Sequence, residues 1–151
     1  MSIDIDHVGL SVGDLDAVAA WYSTVFDLAT AFPFELDAIG LRGMFLIDGR
    51  GGAIELLQRR GSQRSPTPAD PNEALLRRGY GHVCLRVDDV DEVHARALAA
   101  GGTEKMAPQP SPEPGVRMSF VADLEGNLVE LLDRAHPVGR PDMSPDDPVS
   151  R

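Results

Sequence analysis

The chain has 151 residues, enough for one ordinary domain or two very small ones. An apolar fraction of 42% and a charged fraction of 25% exclude a disordered chain, and no apolar run approaches the roughly 18 residues that would cross a bilayer. A formal charge of −10 argues against nucleic acid and anionic membrane as partners, since both require clustered cations.

The opening MSIDIDH turns acidic at its fourth residue, unlike the basic, then apolar profile of a signal peptide, so a cytoplasmic protein is expected. The lone cysteine, Cys84, excludes an internal disulfide or a cysteine-based zinc site and reads as a small core residue. The first predicted element is a strand. Val8, Leu10 and Val12 alternate with His7, Gly9 and Ser11, which gives it one buried face. Asp14 is a candidate N-cap for a helix whose apolar stripe is Leu15, Val18, Tyr22 and Val25. Trp21 and Tyr22 read as core or rim of that helix. Three shorter strand-like runs follow, the clearest at 44–47 and 53–57. The polar segment 59–79 carries Pro66, Pro68 and Pro71, with a helical turn expected at 72–78 and Arg59-Arg60 and Arg77-Arg78 as solvated charges.

At His82 the sequence begins again. A shift of 75 residues (82 minus 7) lays HVGLSVGDLDAV on HVCLRVDDVDEV. The same shift pairs Gly40 with Gly115, Arg42 with Arg117, Phe45 with Phe120, Asp48 with Asp123, Gly51 with Gly126, and Glu55-Leu56-Leu57 with Glu130-Leu131-Leu132. One offset held this long without a gap is an internal repeat. The second copy therefore supplies a strand, an N-cap at Asp89 with Glu92 as capping-box partner, and a stripe of Val90, Val93, Ala97 and Leu98. Gly101-Gly102 stops that helix, and strands follow at 118–122 and 128–132. The expected fold is α+β. Two tandem βαβββ modules, 1–58 and 80–134, are joined by a linker at 59–79 and followed by a flexible tail at 135–151, the sheets curving into a cup with helices on its convex side. So small a core per module suggests a homodimer.

The repeat also pairs chemistry. Glu55 (AIELL) and Glu130 (LVELL) lie inside apolar, β-prone runs, where an uncompensated carboxylate would cost several kcal/mol. His7 and His82 sit opposite the apolar face of their own strands, and each precedes its glutamate by 48 residues (55 minus 7, 130 minus 82). Pseudo-equivalent modules normally pack about a local twofold axis, so the four residues could meet at one point. Two imidazoles and two carboxylates suit a divalent first-row ion and leave two of six positions open for water or substrate. His94, in a helix, and His136, in the tail, are not candidate ligands.

HVGLSVGDLDAVAAWYSTVFDL, IELL, GHVCLRVDDVDEV and SFVADLEGNLVELLD together resemble the vicinal oxygen chelate superfamily. That superfamily holds glyoxalase I, methylmalonyl-CoA epimerase, extradiol dioxygenases, and fosfomycin- and bleomycin-resistance proteins. The resemblance covers about residues 1–134 and places the metal ligands on the first and last strands of each module. Carried onto this chain they are His7, Glu55, His82 and Glu130, around one Ni, Co, Zn, Mn or Fe ion. A fourth ligand at Glu55 argues against dioxygenase chemistry, which needs three open positions. The resemblance then implies a glyoxalase-like lyase or isomerase acting on a small molecule. It would move a proton α to a carbonyl through a metal-chelated enediolate, with Glu130 or Glu55 as base and Glu130 favoured. An acyl-CoA epimerase of the methylmalonyl-CoA type is the alternative, and a metal-containing binding or resistance protein is an alternative of another class. Arg86 projects on the side of His82, placed either to hold an anionic group or to stand solvated. Arg42 and Arg117 read as a structural pair. Two departures are visible: the turn Asp123-Leu124-Glu125-Gly126-Asn127 lacks the family's proline, and only Glu35 or Asp37 stands where an epimerase would place a separate acid/base.

Overall fold

The computed structural model describes residues 5–136 and 138, so most of the expected tail at 135–151 lies outside the described residues. Its elements are β1 (Val8–Val12), α1 (Leu15–Phe26), β2 (Ala29–Leu36), β3 (Leu41–Ile47), β4 (Ala53–Arg59) and the short α2 (Pro71–Ala74). They continue with β5 (Val83–Arg86), α3 (Val90–Ala99), β6 (Thr103–Pro110), β7 (Arg117–Ala122) and β8 (Leu128–Leu132). The chain divides into two compact units between Thr67 and Pro68. Each holds one four-stranded mixed sheet, ordered β1-β4-β3-β2 in the first and β5-β8-β7-β6 in the second. The first and last strand of each module run parallel, and the other neighbours are antiparallel. The fold is α+β, two βαβββ modules.

Local chemistry sets the boundaries. Asp14 caps α1 by accepting from the Ala17 N–H at 3.0 Å, and Asp89 caps α3 by accepting from Glu92 N–H at 2.9 Å. Gly101, at φ +95°, ends α3 in a left-handed turn; its N–H reaches Leu98 O while the Gly102 N–H reaches Ala97 O. The turn expected at 72–78 is the single helical turn of α2. It starts earlier because Asp70 accepts from Glu73 N–H and Pro71 fits the first helical position. Pro33, Pro108 and Pro110 are tolerated because β2 and β6 are edge strands.

The apolar stripe of α1 is buried as expected. In α3, His94 is buried where Leu98 was expected, and Leu98 is only half-buried. The His94 imidazole is satisfied on both sides, 3.0 Å from Ser119 Oγ and 3.0 Å from Glu104 Oε2, which offsets the cost of burying a polar ring. Val8 is 41% exposed despite its place on the helix-side face, because β1 is an edge strand with a neighbour on one side only. The repeat-related arginines clamp equivalent helices: Arg42 Nη1 lies 3.3 Å from Asp16, and Arg117 Nε lies 2.8 Å from Asp91. Asp48 and Asp123 likewise accept backbone N–H groups inside the hairpin turns before β4 and β8.

Candidate metal centre

Glu55 lies mid-β4, in register with Phe45 of β3 and Gly9 of β1. Its neighbours Ile54 and Leu56 turn into the core under α1, so alternation puts Glu55 on the opposite face. His7, just before β1, brings Nε2 to 3.4 Å from Glu55 Oε2, and its ring stands edge-on to Phe45 at 5.2 Å. The second unit repeats this. His82 Nε2 lies 3.0 Å from Glu130 Oε2, and its ring stands edge-on to Phe120 at 5.2 Å. Both histidine side chains are 34% exposed, whereas the carboxylates are only 19% (Glu55) and 16% (Glu130) exposed. Among the described residues, no lysine or arginine stands within ion-pair distance of either carboxylate.

Two donors at about 2.1 Å from one octahedral ion, at right angles, are roughly 3 Å apart. Each imidazole–carboxylate pair has about that separation, and each carboxylate is largely buried without a fixed cation. The residues therefore fit a divalent ion. Among the described residues, no group of three or more His, Cys, Asp or Glu side chains gathers as a metal cluster; the donors stand as two pairs, one in each unit.

The pairs are not identical. Asp6 Oδ2 lies 2.8 Å from His7 Nδ1; this hydrogen bond is the main cause that raises the His7 pKa, opposed by desolvation and aided by Glu55. Gly81 occupies the position before His82. Cys84 corrects its sequence reading. It is an exposed residue in register with Glu130, on the face away from Val83 and Leu85, and not a core residue. Desolvation, then the Glu130 charge, pushes its thiol up to about 12. At the equivalent of Cys84 stands Gly9, where a Cβ would lie in ordinary contact with Glu55 Oε2, at 3.7 Å. Arg86, in register with Leu132, shares the Glu130 face, is exposed, and has no ion-pair partner among the described residues. Arg134, just beyond β8, donates from Nε at 2.9 Å to Glu113 Oε2 in the β6–β7 turn, and its charge acts on Cys84 and Glu130. Sequence reading missed this ion pair, because nothing local links residues 113 and 134.

Residues 4–131 match the family model described as the glyoxalase/bleomycin resistance protein/dioxygenase superfamily. The chain belongs to that superfamily. A relative named probable lactoylglutathione lyase, from Vibrio cholerae, is 28% identical over 133 residues, covering 83% of this chain and 87% of its own. In the glyoxalase superfamily the structural likeness is broad. The glyoxalase family protein from Bacillus cereus superposes with a TM-score of 0.73 at 16% identity, over 87% of this chain and 94% of that one. Glyoxalase I from Zea mays gives 0.71 at 24% identity over 87% of this chain, but this chain spans under half (44%) of its length. These likenesses show the fold. Among the described residues, no helix is long and apolar enough to cross a membrane.

Proposed function

We propose that this protein is a divalent-metal-dependent, glyoxalase-like lyase or isomerase in which His7, Glu55, His82 and Glu130 hold one ion. The observation that carries this reading is the pair of repeat-equivalent imidazole–carboxylate contacts, His7–Glu55 and His82–Glu130, on carboxylates that have no lysine or arginine partner among the described residues. The name of the Vibrio cholerae relative, probable lactoylglutathione lyase, supports the same class.

When bound, the ion would supply Lewis-acid chemistry that acidifies the C–H α to a substrate carbonyl. The chain supplies the rest. A glutamate carboxylate takes the α-proton and returns it to the neighbouring carbon, so one residue serves as base and then acid. Glu130 is assigned this role by resemblance. Its surroundings suit proton transfer, because Cys84, its thiol pushed up to about 12, stays protonated and offers a donor beside it. Phe45 and Phe120 stand edge-on against the histidine rings. Arg86, exposed and without an ion-pair partner among the described residues, would bind an anionic group remote from the reacting carbon.

Two measurements test the reading. Metal analysis after loading with nickel, cobalt, zinc, manganese or iron should give one tightly held ion per site, with His82→Ala abolishing it and Glu55→Gln weakening it, since an amide oxygen still coordinates. The loaded protein should exchange the α-hydrogen of a hydroxyacyl thioester or hemithioacetal with deuterated solvent. Tight metal binding without any exchange would favour a binding or resistance protein, and wild-type exchange by the stripped protein or by His82→Ala would sink the mechanism.

A further inference from the structure

The repeat that pairs His7 with His82 and Glu55 with Glu130 breaks at the residue beside each carboxylate. Gly9 of β1 is the register partner of Glu55, and Cys84 of β5 is the register partner of Glu130. Paired residues of neighbouring strands take the same face, and both of these are exposed. The Cys84 side chain fills its place, and its thiol donates a hydrogen bond to Glu130. Beside Glu55 there is bare backbone.

Nothing within the described chain asks for that glycine. The φ of Gly9 is not left-handed, so its backbone suits any residue. A Cβ there would meet Glu55 Oε2 at 3.7 Å and Leu57 Cδ1 at 4.0 Å, both ordinary contacts. Gly43 of β3 is the contrast, since a Cβ at that position would collide with the Phe34 ring. A glycine inside a strand costs stability and packs against nothing. Where the fold does not require it, such a glycine marks the close approach of a ligand or of another backbone. At Gly9 the approach would be to the face that carries His7 and Glu55.

We propose that Gly9 and Cys84 select the orientation of a chelating substrate: the bare backbone at Gly9 receives a bulky substituent next to the chelating oxygens, and the Cys84 side chain closes the equivalent space beside Glu130. This rests on the metal-centre reading above. Two His–Glu pairs alike in sequence offer a chelating molecule two placements that exchange its ends. A difference between the two halves is what selects one of them. Gly9 against Cys84 is that difference at the position paired with each carboxylate. The ligand class is a small molecule with two vicinal oxygens and a branched group on one side. A single placement presents one face of that molecule to one glutamate, which makes the proton transfer stereospecific.

Cobalt-loaded protein with pivalohydroxamate and acetohydroxamate tests this, because the two chelators present the same oxygens and differ only in tert-butyl against methyl. The paramagnetic ion shifts the proton resonance of a bound tert-butyl group by an amount that depends on its placement. The parent should show one such resonance. Cys84→Gly should add a second or draw the first to an averaged shift, and Gly9→Cys combined with Cys84→Gly should return one resonance at the other position. In calorimetric titrations Gly9→Val should weaken pivalohydroxamate about tenfold and leave acetohydroxamate unchanged. Gly9→Ala should keep a Tm equal to or above that of the parent, because a Cβ fits there. Two resonances in the parent, a spectrum unaltered by Cys84→Gly, or a pivalohydroxamate affinity unaltered by Gly9→Val overturns the proposal. So does a lower Tm in Gly9→Ala, which would make the glycine a requirement of the fold. If neither chelator binds the cobalt-loaded parent, the metal-centre reading fails and takes the proposal with it; chelation without these orientation effects removes the proposal alone.

Discussion

His7 and His82 occupy equivalent positions, yet only His7 has a carboxylate as its chain neighbour. The Asp6 hydrogen bond raises the His7 pKa above its ordinary 6.5. In the metal-free protein this interaction favours the folded state below pH 6.5 and is lost as pH rises through the raised value. A metal needs the neutral ring, so the same shift makes protons compete for His7 at higher pH than for an ordinary histidine. Asp6→Asn should lower the His7 midpoint in an NMR titration of the metal-free protein and let the loaded protein keep its ion to lower pH; an unmoved midpoint would leave Glu55 as the only group setting it. Cys84 gives the converse case. A thiol pushed from 9.0 to about 12 stays protonated at pH 8, so folding weakens as pH rises above 9, where the unfolded chain gives up that proton first. Iodoacetamide should alkylate Cys84 in the folded protein roughly a hundredfold more slowly than in denaturant, and Glu130→Gln should narrow that gap.

At the scale of elements, each helix is fixed to its sheet by devices placed at equivalent points of the repeat. The caps Asp14 and Asp89 start the helices, and Asp16 and Asp91 in their first turns meet Arg42 and Arg117 from the sheet. Asp89→Ala removes an acceptor for the Glu92 N–H and should cost about 1 kcal/mol in denaturant unfolding. The second helix has one more fastening, the His94 ring between Ser119 of β7 and Glu104 of β6. His94→Ala leaves a cavity and strands a buried hydroxyl, so it should destabilise the unit by roughly 2–3 kcal/mol. A loss near zero would mean that water replaces the ring. The β6–β7 turn is held in the same manner by the Glu113–Arg134 pair.

For the whole molecule, the two units divide between Thr67 and Pro68, and the chain's single lysine, Lys105, anchors that region by donating to Pro68 O at 2.8 Å. Each sheet ends in two edge strands, and Leu75, Leu76 and Tyr80 are exposed apolar residues ahead of β5. Exposed edges and apolar side chains of this kind favour association. We expect a homodimer. Sedimentation equilibrium should report a mass near twice the 16.2 kDa of one chain, and a concentration-independent monomer would exclude it.

The sequence by itself determined the two modules, their strand–helix order, both N-caps, the glycine stop of α3 and the four residues paired as His–Glu. Those features are periodic or local, and a repeat at one offset prints each of them twice. The position of Cys84 was also legible, since alternation with Val83 and Leu85 puts it on the His82 face, but a lone small residue in an apolar run reads more readily as core. What only the tertiary structure decided is contact across strands. His94 meets Glu104 and Ser119, Arg134 meets Glu113, and Phe32 meets Phe45 because of register, a turn and a bulge. Side-chain periodicity says which face a residue takes. It does not say which residues of neighbouring strands lie beside it, because one bulge in β2 is enough to change every pairing beyond it.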